Sequence, residues 1–360
     1  MLDATIHRPS LAIADAASIA RQHFGLVGDV TELPSERDRN FRIAMENGAA
    51  YVLKISREAE TISQLQCENA ALVWLADRAP SVPVPRVLNS AFGESLVRVE
   101  ALDGAQHFAR AITHMPGKVL AETVPHSTPL LDNLGAGLGA LDGALAGFEH
   151  EATKREFLWD LARARIVIEQ HRASITEPQR QTIIDHVVGL WDHTVEPVLS
   201  DLRRSVIYND ANDYNILINA DPSKAREVSG FIDFGDMIES YTICDLAIAM
   251  AYVMLGKQHP LAAASAVTAG YHRVHPITDR EVDLLFPLAC ARLAVSVCVS
   301  SARRSDNPND DYLRVSEDPA WQSLERLTTI DPQFARAFLR VRTGEFSALP
   351  TVRPLSRWLR

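Results

Sequence analysis

Three things are scarce in this 360-residue sequence: cysteine, an excess of positive charge, and long uninterrupted apolar runs. The only cysteines are Cys67, Cys244, Cys290 and Cys298, and no two are spaced as a CxxC pair. That excludes a zinc site built on paired thiolates and gives no disulfide framework; buried free thiols in a reducing compartment are expected. Acidic residues outnumber basic ones 46 to 36, for a net charge of −10. A general nucleic-acid binder needs a basic surface to displace phosphate counterions, so that class is excluded. The N-terminus has no apolar run of signal-peptide length. The longest apolar stretches, 242–256 and 284–301, are interrupted by Asp245 and by Pro287 and Arg292. Both read as buried core helices rather than membrane spans, and a cytoplasmic location is the default expectation. Internal repeats and low-complexity tracts are absent. Gly135, Gly137, Gly139 and Gly143 do not fit G-x-G-x-x-G and follow no strand, so a helix with small residues for close packing is expected there.

What is present suits a globular chain with a sizeable core, since 47% of residues are apolar and 23% charged. Residues 11–24 carry apolar positions at helical spacing, ended by Gly25. Strand-like runs at 40–45 and 50–55 flank Glu46-Asn47-Gly48, a hairpin signal. A helix is expected over 62–77, stopped by Pro80, Pro83 and Pro85. Two more strands are expected at 95–101 and 107–113. Beyond Pro116-Gly117 the pattern turns helical: 129–147, 155–172, 176–200, 242–255, 260–275, 280–303 and 320–343. A short β region at 206–219 and 228–234 interrupts it. The expectation is an α+β chain of two lobes, a small β-rich N-terminal lobe (1–116) and a larger, mostly helical C-terminal lobe (117–360).

The informative segment is 206–236, VIYNDANDYNILINADPSKAREVSGFIDFGD. Asp210 is followed five residues on by Asn215, and Ile232-Asp233-Phe234-Gly235 comes after the next turn. D-x-x-x-x-N followed by DFG matches the catalytic and metal elements of kinases. The chemistry explains the residue types. Magnesium takes oxygen ligands, here the Asp233 carboxylate and the Asn215 amide carbonyl beside phosphate oxygens and water. Asp210 would accept the proton of the attacking hydroxyl. Upstream, Lys54 ends the apolar run Tyr51-Val52-Leu53-Lys54-Ile55 and Glu68 lies on the following helix. A kinase needs a lysine on the phosphates and a helix glutamate to hold it. Either element alone is a weak signal, because Asp and Asn favour turns anyway; in this order they support one another.

These residues resemble the aminoglycoside phosphotransferase and choline kinase superfamily. The segment NDANDYNILI…SGFIDFGDMIESYTICDLAIAMAYVML is most similar to hydroxylysine kinases and to the kinase-type domains fused to some bacterial class III aminotransferase-like proteins. REFLWDLARAR and ARLAVSVCVSSARR also resemble this subgroup. The resemblance implies a bilobal protein-kinase-like fold, with Asp210 as base and Asn215 and Asp233 as Mg2+ ligands. It also implies Lys54 on the phosphates of ATP or GTP with Glu68 as its partner. The loop covering the nucleotide would be 35–41 (Ser35, Arg37, Arg39 and Asn40), and the base would meet the linker near Thr113 and Met115. Two departures stand out. The catalytic loop reads Tyr208-Asn209-Asp210 where the family usually has His-Gly-Asp. Tyrosine can replace the histidine by packing and hydrogen bonding, and asparagine tolerates an unusual backbone angle. The loop 35–41 has no glycine, so Arg37 or Arg39 is expected to take part of the phosphate binding.

For the acceptor, Asp213, Asp236, Glu239 and Asp160 are candidate carboxylates near the active segment. Each has a plainer reading as a capping or solvated charge. Arg292 interrupts an apolar helix and either pairs with an internal carboxylate or holds a substrate carboxylate. Asp245 is read as a helix cap that holds the catalytic loop. The expected acceptor is a small amino alcohol or hydroxy amino acid, hydroxylysine first. Homoserine, choline, ethanolamine and an aminoglycoside are the alternatives, and an inactive kinase-like binding module is the competing class. Neither nucleic acid nor membrane is expected as a partner.

Overall fold

The computed structural model describes residues 8–344, apart from 36, 37, 103, 222 and 307–311. A first helix, α1 (Ile13–Phe24), buries Ala16, Ile19, Ala20 and Phe24 and stops at Gly25, whose φ of 66° supplies the left-handed cap. It packs on an antiparallel sheet formed by β1 (Gly28–Leu33), β2 (Arg39–Met45), β3 (Ala50–Ile55), β4 (Val87–Leu88), β5 (Val97–Glu100) and β6 (Gln106–Thr113). The order is β1-β2-β3-β6-β4, with β5 also on β6. The Asn47-Gly48 turn joins β2 to β3, with Gly48 at φ 86°. Between β3 and β4 lies α2 (Ile62–Arg78), started by a reciprocal Thr61–Gln64 capping box.

After β6 the chain passes through His114–Gly117 into β7 (Lys118–Val119), which pairs with a strand far downstream. There follow α3 (Thr128–Leu145), α4 (Ala164–His171) and α5 (Pro178–Leu190), the last continued by a π-turn at Trp191–Val195. Short strands carry the active segment: β8 (Arg204–Ile207), β9 (Ile216–Ile218), β10 (Val228–Phe231) and β11 (Ile238–Tyr241). They form two small sheets, β10-β9-β7 and β11-β8. Five helices complete the lobe: α6 (Ile243–Met254), α7 (Pro260–Val274), α8 (Asp279–Asp306), α9 (Tyr312–Leu327) and α10 (Pro332–Arg342). The architecture is therefore α+β, with a β-sheet N-terminal region and a helical C-terminal region of protein-kinase-like type.

The helix expected over 155–172 begins only at Ala164. Residues 155–160 form an irregular segment, and Asp160 caps a following 3-10 turn by accepting from Ala162 N. The helix expected over 320–343 is two helices, broken before Asp331-Pro332, where the Asp331 side chain caps α10. The glycine-rich stretch is helical, as expected, and lies in α3 against α7. A Cβ at Gly135 would sit 1.9 Å from Val267 O, and one at Gly270 1.9 Å from Asp132 O. Only glycine permits so close an approach. The helix Asp279–Arg304 is long and apolar enough to cross a membrane, but its most apolar window is 89% buried inside the protein.

Two apolar clusters form. One lies under the β-sheet, from Phe41, Ile43, Leu53, Ile55, Val97 and Ala109. The other fills the helical lobe and includes Cys67, Ala71, Leu72 and Leu75 of α2, with Val82 and Val84 just after it.

Candidate active site

Strand β8 delivers the catalytic loop. Tyr208 is fully buried, with its ring 4.9 Å from that of Phe234, and its hydroxyl donates to Ile232 O. The phenol thus ties the catalytic loop to the strand end that precedes Asp233. Asn209 follows with φ 65° and donates from Nδ2 to Asp236 O at 3.0 Å. Both unusual residues of the loop therefore have structural work, as the sequence suggested. Asp245, at the start of α6, accepts from Tyr208 N at 2.9 Å and Asn209 N at 2.7 Å, which fixes the loop backbone.

Asp210 comes next. Its carboxylate accepts from Asn212 Nδ2 at 2.9 Å and Asn215 Nδ2 at 2.6 Å. Arg292 Nη2, from α8, lies 3.6 Å from its Oδ1. Burial pushes the Asp210 carboxyl up, and the Arg292 guanidinium opposes it. The hydrogen bond from its NH2 leaves the Asn215 carbonyl oxygen to face elsewhere. Asp233 has φ 60°, a conformation that turns its side chain out of the chain's extended path. Lys54 Nζ lies 3.4 Å from its Oδ1, and that charge holds the Asp233 carboxyl below its ordinary range.

Lys54 on β3 and Arg110 on β6 are direct cross-strand partners. Two cations in that position repel unless acids intervene. Two acids do: Asp233 meets Lys54, and Glu68 of α2 forms a buried ion pair with Arg110. Arg110 Nη1 also donates to Asn69 Oδ1 at 3.0 Å. The direct Lys54–Glu68 pair expected from the sequence is thus replaced. Glu68 takes Arg110 and acts on Lys54 only through the shared field, raising it together with Asp233 against the lowering effects of burial and Arg110. Burial raises Glu68 itself, with Arg110 opposing. Arg155 Nη2 donates to Gly235 O at 2.6 Å and pins the turn after Asp233.

The remaining predicted residues separate. Ser35 Oγ accepts from Asp38 N at 3.2 Å and shapes the β1–β2 turn. Arg37 lies outside the described residues. Arg39 is engaged by an acid: its guanidinium pairs with Glu32 at 2.7 Å. Asn40 is the cross-strand partner of Lys54, and its Oδ1 is buried with no donor among the described residues. Thr113 Oγ1 accepts from Arg86 N at 2.8 Å, and Met115 packs against Gly230. Glu239 turns to Arg204, 3.8 Å away, rather than standing alone at a cleft rim. Asp160 accepts from Ser240 Oγ at 2.7 Å in addition to its capping bond. Asp213 is pushed up to about 6 by burial. Asp236 lends its backbone carbonyl to Asn209. Sequence reasoning missed Arg110. A cation at an inward position of an apolar strand was the available signal for Arg110.

The donor set fits a hard divalent cation. Asp233 is an ionised carboxylate with 58% of its side chain exposed, and Asn215 offers a neutral carbonyl. Among the described residues no three His, Cys, Asp or Glu cluster as a closed metal cage. Two protein ligands completed by phosphate oxygens and water is the arrangement Mg2+ favours.

A lysine, two acids and an amide, held by a β-sheet and a helical lobe in this way, define a phosphotransferase. The model of the phosphotransferase enzyme family matches residues 29–283, well over half the chain, and the protein belongs to that family. It is 28% identical over 342 residues to the hydroxylysine kinase of Mus musculus, covering 89% of this chain and 90% of that protein. The hydroxylysine kinase of Xenopus laevis is 30% identical over 345 residues, covering 89% and 91%. Among solved structures, an amicoumacin kinase in complex with AMP-PNP and Ca2+ superposes with a TM-score of 0.65 at 16% identity, covering 89% of this chain and 96% of that one. A microcompartment-associated aminopropanol kinase does so at 0.65 and 15% identity, covering 92% and 98%. The chain is a small-molecule kinase.

Proposed function

We propose that this kinase transfers the γ-phosphate of ATP or GTP to the hydroxyl of a small amine-bearing acceptor, with hydroxylysine favoured. In this reading Asp210 takes the hydroxyl proton as the acceptor oxygen forms its bond to phosphorus and the bond to the β-phosphate oxygen breaks. Lys54 binds the phosphates, and Asp233 and Asn215 hold Mg2+. When bound, the metal neutralises charge that builds on the phosphate oxygens. A cytoplasmic setting goes with it, since all four cysteines are free and buried.

The observation that carries the acceptor class is that relatives matched along nine-tenths of their length are hydroxylysine kinases. A local feature supports it. Arg292 is 3% exposed, lies over the rings of Trp159 at 4.9 Å and Tyr252 at 5.7 Å, and stands beside Asp210. Its Nε is buried with no partner among the described residues. A guanidinium beside the base, held by Trp159 O at 3.3 Å and Tyr252 Oη at 3.4 Å, suits the α-carboxylate of an amino acid and has no charge to pair with in choline or a neutral sugar. The test is kcat/KM for 5-hydroxylysine against homoserine, ethanolamine, choline and kanamycin, with both nucleotides. Hydroxylysine should lead, and Arg292→Met should erase its advantage over ethanolamine. A sugar or multi-ring aminoglycoside leading the series would refute the acceptor assignment.

A further inference from the structure

We propose that Asp142 is a positioning residue that shares one proton with Asp245 and thereby holds the backbone of the catalytic loop. Close packing of α3 on α7 brings Asp142 against Tyr271, whose hydroxyl donates to Asp142 Oδ2. Asp142 and Asp245 are both 0% exposed. No donor among the described residues serves Asp142 Oδ1. Packing of α3 on α6 puts the Asp245 carboxyl within side-chain hydrogen-bonding reach of Asp142. Both Asp245 oxygens already accept backbone N–H groups, from Tyr208 and Asn209. A hydrogen bond between two carboxyl groups needs one proton, and two charged carboxylates in a dry interior repel.

The surroundings decide which group carries it. Asp245 has two backbone donors that favour its charged form. Asp142 has one hydroxyl and an oxygen with no other partner, so the neutral acid is Asp142. Burial, then the Asp245 charge, pushes Asp142 well above the usual carboxylate range, while burial raises Asp245 only to about 6. The other titratable groups facing the pair are Asp210 on the loop, Tyr271 on α7, and beyond Tyr271 the Arg203 guanidinium and His275. No cation forms an ion pair with Asp142 among the described residues. Removing the shared proton would set Asp142 against Asp245 and strain the N–H bonds that fix Asn209, the residue before the base.

The sign of the pH effect follows. Asp142 is raised in the folded protein, so its contribution to stability is full below its unfolded value and is lost as pH rises through the folded one. The experiment takes wild type and Asp142→Asn from neutral to alkaline pH and measures the melting temperature and kcat. An asparagine donates to Asp245 without ionising. Wild type should lose both melting temperature and kcat on the alkaline side, while Asp142→Asn holds its neutral-pH values across that range. Asp142→Leu, which has no donor, should lower kcat roughly tenfold or more with little change in nucleotide KM. The carbonyl band of a protonated carboxylic acid should appear in the infrared spectrum of wild type and weaken in Asp142→Asn. Equal alkaline slopes for the two proteins, or a band unchanged by the substitution, would overturn the proposal. If the asparagine variant does not fold, Asp142→Ser supplies a neutral donor for the same comparison. The kcat readout rests on Asp210 being the base, whereas the melting and infrared readouts stand without it.

Discussion

Replacing Arg110 by methionine tests the ion network at the nucleotide side. Arg110 is 3% exposed and Glu68 7%, and their ion pair is buried under the sheet. Methionine keeps much of the volume and removes the charge, leaving Glu68 without its closest partner. Breaking a buried pair from one side typically costs about 3–5 kcal/mol, because the remaining charge is desolvated and uncompensated. Against a total stability of about 5–15 kcal/mol that is a large fraction. Urea unfolding should therefore show a midpoint shifted far down with little change in slope. The double variant Arg110→Met/Glu68→Gln removes both charges and should recover a substantial part of the loss. Lys54 offers a way out, since it could swing from Asp233 to Glu68 and replace the missing guanidinium. If Arg110→Met cost less than about 1 kcal/mol, that swap would be the better description, and the assignment of Glu68 to Arg110 would fail.

Two further outcomes are expected. Asp233→Ala should weaken Mg2+–nucleotide binding about tenfold or more and Asn215→Ala less, since one loses a charged ligand and the other a neutral one; unchanged magnesium titrations in both would place the metal elsewhere. Asn209→Ala should destabilise by about 1–2 kcal/mol because alanine resists the left-handed conformation, whereas Asn209→Gly should cost less; equal losses in chemical denaturation would mean that the backbone angle is not the cause.

How far the sequence could be read depended on whether a feature was local. The Asp210-to-Asn215 spacing and the Asp233-Phe234-Gly235 turn are short-range, and the structure gathers Lys54, Asp233, Asp210 and Asn215 at one site through the bonds described. Asn209 was legible for the same reason: a non-glycine at a left-handed position announces itself by residue type. Strand β1 was missed because its burial pattern gives almost no apolar alternation on an edge strand. The segment 155–160 looked helical because Phe157, Leu158 and Trp159 are apolar, but Asp160 caps a turn instead. The partner of Glu68 depended on the register that places Arg110 opposite Lys54, which no local pattern encodes. Asp142 was hidden in a glycine-rich helix whose purpose, close approach to α7, appears only when both helices are in place.

Helix α2 belongs to the β-rich lobe by chain order and to the helical lobe by packing. Its buried face joins the larger cluster, and Trp74 Nε1 donates to Ala144 O at 2.7 Å on α3. Cutting the chain at residue 116 would leave a C-terminal fragment with an uncovered apolar trough and an N-terminal fragment with an unmatched apolar helix. Neither piece is then a natural unit for expression, and each would be prone to aggregate. The same attachment fastens the two lobes through one helix: α2 packs into the helical cluster while its Glu68 is held to Arg110 of β6 by the buried ion pair.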